Sequence, residues 1–259
     1  MSDTINYKVE NAVATITLNR PDSYNAFQKE MSFALIDALT KAEDDKSVRV
    51  VVLTGEGRAF CSGQDLKECL ADPEMSFYNY VENRYNVIIK AIRNMPKPVI
   101  CKLNGIAAGA GCSLAMACDL IIASEKASMM EVFVNVGLVL DSGSSYFLPR
   151  LVGSQKAFEI ATTAQKITAQ QAKEWGMINE VVAPENLEEA VKKWTDYYAV
   201  APTAAIAKIK MMLNQSYEND LNTMLNLERD MQEAAGNSED YKEGVNAFLE
   251  KRKANFKGC

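Results

Sequence analysis

Histidine is absent from all 259 residues, which removes Ser-His and Cys-His nucleophile pairs, HExxH zinc sites and every imidazole acid–base scheme. Any proton transfer falls to Asp, Glu, Lys, Tyr or Cys. The six cysteines, Cys61, Cys69, Cys101, Cys112, Cys118 and Cys259, form no CxxC pair. Without that spacing or a secretory context, neither a disulfide framework nor a metal site is expected, and most of these thiols should be reduced, buried and small. Apolar runs fall short of a membrane span, and Met1-Ser2-Asp3-Thr4 lacks a basic region followed by an apolar stretch. The sequence therefore predicts a cytoplasmic protein that does not enter a membrane. Positive charge is scarce: 28 Lys and Arg against 34 Asp and Glu leave a net −6 and a pI near 5.0. Nothing in that balance draws the chain to nucleic acid. Low-complexity tails and long linkers are missing too.

What is present fits one large domain, or one domain with an appendage: 48% hydrophobic residues over this length can bury a sizeable core. Val13 to Leu18 alternates as a half-buried strand and ends on Asn19-Arg20-Pro21-Asp22. Met31, Leu35, Ala38 and Leu39 recur at helical spacing before the β-branched run Val48 to Leu53. A helix over Met75 to Met95, with Phe77, Val81, Ile88 and Ile92 on one face, stops at Pro96-Lys97-Pro98, and the strand Val99 to Leu103 follows. Ala110 to Cys118 reads as a short buried helix and Leu120 to Ala123 as a strand. This alternation predicts an α/β core. Thr168-Ala-Gln-Gln171 has capping-box spacing, with Gly176 placed to end the helix. After Pro202 the strand signals vanish, so residues 1–200 are taken as the core and 201–259 as a helical subdomain.

Two glycine-bearing segments each follow a strand: Arg58-Ala-Phe-Cys-Ser-Gly-Gln-Asp-Leu66 and Asn104-Gly-Ile-Ala-Ala-Gly-Ala-Gly-Cys112. Small residues at such turns leave backbone N–H groups free, and a helix N-terminus adds partial positive charge, so the pair can hold a developing oxyanion. Tight turns and close helix packing explain the same glycines without any chemistry.

The segments LNRPDSYNAF near residue 20, GRAFCSGQDL near 60, KPVICKLNGIAAGAGCSLAMACDLIIAS from Lys97, VGLVLDSGSSYFLPRLVG from Val136 and ITAQQAKEWGMINEVV from Ile167 occur in order along the chain. On them the chain resembles the enoyl-CoA hydratase/isomerase (crotonase) superfamily over essentially its whole length. The resemblance implies a spiral of ββα units, a C-terminal helical region used for trimerisation, and assembly as a homotrimer or hexamer. It implies an acyl-CoA thioester as substrate, with coenzyme A part of that substrate and no separate cofactor. It puts the oxyanion hole at the backbone N–H groups of Gln64 and Ala110. Arg20, Ser62, Gly63, Asp65, Leu66 and Gly109 fall at its acyl-CoA contacts.

The departures from the family pattern are informative. Ser113 and Phe133 stand where the hydratases carry two glutamates; serine is no base near neutrality and phenylalanine has no proton to exchange. Water addition is therefore disfavoured. Asp141 falls where several isomerase relatives place an acidic base. Between Val139, Leu140 and an acyl chain, its pKa should be raised. Its rival reading is a cap for the helix that follows. Asp65 and Asp119 read as caps or turns, Glu131 as off the family's acid position, and Lys251-Arg252-Lys253 as a solvated helix face, with CoA phosphates as an alternative partner.

AFCSGQDL, the lone Asp141 and the tail LERDMQEAAGNSEDYKEGVNAFLEKR are most similar to the branch that isomerises ring epoxides of phenylacetyl-CoA and shifts enoyl-CoA double bonds. A Δ3,Δ2-enoyl-CoA isomerase of fatty-acid oxidation fits the same residues. The aryl-CoA dehalogenases of the family use an aspartate here with a histidine and a tryptophan, and this chain lacks the first and has Phe133 for the second. A noncatalytic acyl-CoA or RNA-binding scaffold is the rival from another class.

Overall fold

Runs rich in valine and isoleucine condense into two sheets in the computed structural model of the protein, which describes residues 2–259. The chain runs β1 (Ile5–Glu10), β2 (Val13–Leu18), α1 (Lys29–Asp44), β3 (Val50–Gly55), β4 (Ala59–Cys61), α2 (Leu66–Ala71) and α3 (Phe77–Tyr80). A π-helical turn (Val81–Tyr85) leads into α4 (Asn86–Asn94), β5 (Val99–Leu103), β6 (Ile106–Ala108), α5 (Ala110–Ala117), β7 (Leu120–Ser124) and β8 (Ser128–Met130). A 3-10 segment (Val132–Val136) precedes α6 (Ser144–Val152), α7 (Ser154–Thr163), β9 (Ile167–Thr168), α8 (Ala169–Glu174), β10 (Glu180–Val182) and α9 (Leu187–Val200). Three more helices follow: α10 (Thr203–Gln215), α11 (Leu221–Gly236) and α12 (Glu239–Leu249).

The larger sheet has the order β1-β2-β3-β5-β7-β10 and the smaller β4-β6-β8-β9. All neighbours are parallel except β1 with β2 and β8 with β9. From β3 to β8 each successive pair thus puts its first strand in the large sheet and its second in the small one, whereas β1 and β2 both lie in the large sheet. β3 is buried along its whole length because α1 and α4 lie over one face of the large sheet and α9 over the other. Burial of each Val or Leu there contributes about 1.5–3 kcal/mol relative to exposure.

Met31, Leu35, Ala38 and Leu39 are buried on α1 as the spacing predicts. The capping box of Thr168 and Gln171 is formed in both directions, and Gly176 has φ +81° just past α8. The expected helix over Met75 to Met95 is corrected in one respect. The π turn inserts a residue into its repeat, so Phe77 and Val81 face a cavity while Ile88 and Ile92 enter the core. Lys251-Arg252-Lys253 are not a helix face: α12 ends at Leu249, and Arg252 folds back onto Glu243 at 2.6 Å. No helix among the described residues is long and apolar enough to cross a membrane.

Candidate active site

A cavity of about 220 Å³ opens where β4 and β6 run into their following turns. Gly63, Gln64, Gly109 and Ala110 form one wall, and Tyr85, Phe133 and Asp141 face it. The two turns meet closely. A Cβ on Gly63 would sit 2.8 Å from the Ala108 carbonyl oxygen, and one on Gly111 only 2.2 Å from that of Cys61. Backbone contact this tight excludes any side chain and fixes the two segments against each other.

That contact aims two N–H groups at the cavity. Phe27 pairs in parallel fashion with the residues flanking Gln64, donating to the Gly63 carbonyl at 2.7 Å and accepting from Asp65 N–H at 2.8 Å. Gln64's own N–H therefore points away from Phe27. Ala110 opens α5, where the first N–H groups have no helical partner. Neither N–H donates to an acceptor among the described residues, so both are free for a ligand oxygen.

Asp141 does not cap α6. The N-cap is Gly143, with no side-chain bond, and the Asp141 carboxylate instead accepts from Ser142 Oγ at 2.7 Å. It forms no ion pair among the described residues. Burial raises its pKa, and the Ser142 hydroxyl offsets part of that rise. Direction and cause, desolvation, match the expectation, but Val139 is 83% exposed and lies outside the lining, which carries Phe133 and Leu138 beside Asp141. Tyr85, buried opposite, keeps its phenol protonated because burial and then the Asp141 charge push it well up. Its hydroxyl donates to the Gln64 side-chain oxygen.

The other anticipated residues divide. Ser62, Gly63, Leu66 and Gly109 line the cavity. Arg20 and Asp65 instead pair with each other at 3.0 Å outside the lining, and Asp65 also caps α2. Burial works to raise Asp65, but Arg20 and the N–H groups of Lys67 and Glu68 outweigh it and hold the carboxyl below its usual range. Asp119 is more than a turn residue: it accepts from Lys210 Nζ at 2.7 Å and Val99 N–H at 2.8 Å. No group of three metal-ligating side chains occurs among the described residues.

The model of the enoyl-CoA hydratase/isomerase family matches residues 8–259. The chain belongs to that family. It is 42% identical to the 1,2-epoxyphenylacetyl-CoA isomerase of Escherichia coli (strain K12), with both chains covered in full. It is 40% identical to a probable enoyl-CoA hydratase of Rhodobacter capsulatus, covering 98% of each chain. The crystal structure of an enoyl-CoA hydratase from Mycobacterium smegmatis superposes with a TM-score of 0.93 at 35% identity, covering 98% of this chain and 99% of that one. The two sheets and trailing helices are the crotonase fold, and the chain is an enzyme of this family.

Within the enoyl-CoA hydratase/isomerase frame, the two positions expected to depart from the hydratases do so in different ways. Phe133 lines the cavity and brings it no proton. Ser113 lies behind the wall, fully buried, 2.6 Å from Ser144 Oγ. Glu131, expected to lie off the family's acid position, does not line the cavity. It is fully buried, accepts from Ser144 Oγ at 3.0 Å, and has its pKa raised to about 7 by burial. A lone acid inside the apolar run Met129 to Val134 was the available signal.

Proposed function

We propose that this protein is an acyl-CoA isomerase in which Asp141 moves one proton while the N–H groups of Gln64 and Ala110 hold the thioester oxygen. The observation that carries this is that Asp141 is the only carboxylate among the described residues lining the cavity, opposite two unpartnered N–H groups. For a 3-enoyl-CoA, Asp141 takes the C2 proton, the electron pair delocalises onto the thioester oxygen, and the same proton returns at C4. The double bond then lies between C2 and C3. A raised pKa makes the carboxylate both a stronger base and a competent acid on the return. Losing one such N–H donor costs about 3–4 kcal/mol of barrier.

The preferred acyl group is aromatic: ring-1,2-epoxyphenylacetyl-CoA, the substrate in the name of the Escherichia coli relative. Phe77, Tyr80, Tyr85 and Phe133 line the cavity, and about 220 Å³ exceeds the roughly 150 Å³ that accepts a benzene ring. Straight-chain 3-enoyl-CoA turnover and hydration are the alternatives. Hydration is opposed by Phe133, because a second acid is missing from the lining. The reading includes a homotrimer or hexamer in the cytoplasm with no cofactor beyond the CoA of the substrate. Exposed Ile209, Leu213, Leu221, Leu225, Phe248 and Leu249 on α10 to α12 support burial against a neighbouring copy.

Turnover should be measured across aryl-epoxide, 3-enoyl and 2-enoyl CoA esters, with Asp141→Asn alongside. Isomerisation of the first or second, and hydration of the third far below the 10⁷ M⁻¹s⁻¹ of an efficient enzyme, are expected. Efficient hydration, or isomerisation retained in Asp141→Asn, overturns the reading.

A further inference from the structure

Glu131 is a buried acid that the isomerisation leaves without a task. Its carboxylate accepts from Ser144 Oγ at 3.0 and 3.1 Å. Ser144 Oγ lies 2.6 Å from Ser113 Oγ, which lies 3.2 Å from the Gly109 carbonyl oxygen and 3.3 Å from that of Asp141. This line of hydroxyls starts on a titratable group and ends on the backbone of the site. The Gly109 carbonyl belongs to the same peptide group as the Ala110 N–H. Asp141 carries the base.

Each hydroxyl has one hydrogen to give. With Glu131 ionised, the carboxylate can only accept, so Ser144 donates to it and Ser113 donates to Ser144, its nearest acceptor. The Gly109 carbonyl then keeps only its backbone donors, Cys112 N–H at 2.8 Å and Ser113 N–H at 3.0 Å, and the Asp141 carbonyl only Ser144 N–H at 3.0 Å, with nothing from the Ser113 hydroxyl. With Glu131 protonated, its O–H donates to Ser144, Ser144 donates to Ser113, and the Ser113 hydrogen turns to a carbonyl. A hydrogen bond on a peptide carbonyl polarises the amide and strengthens its N–H as a donor.

We propose that Glu131 is a positioning residue that sets the direction of the Ser144–Ser113 chain, and through it the strength of Ala110 N–H as an oxyanion donor, with protonated Glu131 the active form. This rests on the reading of Ala110 and Asp141 given above. The titratable groups facing Glu131 are Cys112 on α5 and Asp141 in the loop before α6. Burial raises Glu131, the Cys112 and Ser144 hydrogen bonds lower it, and the Asp141 charge raises it again, leaving it at about 7. Both directions of the chain are therefore populated near neutrality.

The test follows kcat against pH on a 3-enoyl-CoA in wild type, Glu131→Gln and Ser113→Ala. It also follows the near-ultraviolet enolate absorbance of bound acetoacetyl-CoA, corrected for free ligand. A glutamine amide donates to Ser144 at every pH and so holds the chain in the active direction. Wild-type kcat should fall about two- to sevenfold as pH rises through neutrality, the effect of the roughly 10–30% by which one hydrogen bond strengthens the next, applied to an oxyanion donor. Glu131→Gln should keep the acid-side value throughout, and Ser113→Ala should be low and flat, both with KM unchanged. Enolisation releases a proton, so the signal rises with pH in every case; at each pH it should be largest in Glu131→Gln and smallest in Ser113→Ala, with wild type passing from the first towards the second as pH rises through neutrality. A fall that persists undiminished in either variant, or an enolate signal blind to all three, overturns the proposal. If Asp141→Asn keeps its activity, the base assignment fails separately, and the equilibrium enolate signal, whose proton can pass to solvent without Asp141, decides for Glu131.

Discussion

Two of the protein's hollows are of opposite character. The larger, about 750 Å³, lies between the core and α10 and is lined by Arg49, Arg93, Lys97 and Lys210. Its most buried cations, Lys97 and Lys210, and Arg49 beside them are consumed from within. Lys97 Nζ donates to the carbonyls of Ala42, Glu43 and Asp45 at 2.6–2.9 Å, Lys210 Nζ to Asp119 and Ile92, and Arg49 to Thr203 and Phe256. The smaller hollow carries little charge, but its N–H groups lack acceptors and Asp141 lacks a counter-ion. Size and charge mark a seam in the first case. Polar groups left unsatisfied mark the second as the candidate site.

The sharpest test of this contrast is Asp141→Asn. It should lower kcat at least about 10²-fold, the lower bound for general-base catalysis, with little change in acyl-CoA affinity or melting temperature. Retention of a third of wild-type kcat would break the comparison. The second test is the dependence of folding on pH. Glu131 titrates at about 7 in the folded chain against 4.5 for its ordinary value, so between those pH values the native state holds a proton that the unfolded state has lost. Stability should fall by about 3 kcal/mol as pH rises through that window and level off above it. Denaturant melts of Glu131→Gln should lack most of this slope; an identical slope would place the titration elsewhere.

On the other side of the comparison, Lys210→Met strands Asp119 beside Arg93 alone. With Lys210 8% and Asp119 20% exposed, a loss of about 2 kcal/mol is expected, below the range for fully buried pairs. At a permissive temperature kcat should be unchanged. A Lys210 variant that is as stable as wild type but inactive would make the large hollow part of the chemistry. The smallest effect is expected from Tyr85→Phe, which removes one hydrogen bond to Gln64 and should change KM or kcat by a factor reflecting about 1 kcal/mol.

The long periodic elements were legible in the sequence. β2, β3, β5 and α1 announce themselves because burial of one or both faces dictates their residues. The strands β4, β6, β8 and β9 are two or three residues long, too short to show a period, and only the glycines that follow two of them hint at their place. In the candidate site, Gln64, Ala110 and Asp141 were proposed through resemblance, and Asp141 as a cap of α6 is ruled out only by Gly143 occupying that position. The Glu131–Ser144–Ser113 line was not legible, because residues 113, 131 and 144 sit on three elements whose meeting no local pattern encodes.

The π turn at Val81–Tyr85 makes the acyl pocket adjustable by length as well as by residue type. Its single extra residue sets the phase between α3 and α4. Deleting Glu82, exposed within that turn, would restore α-helical spacing and rotate everything upstream by about 100° relative to Ile88 and Ile92. Phe77 and Tyr80 would then swing off the pocket wall while the core anchor stayed in place. One codon lost there would move two aromatic rings of the wall at once.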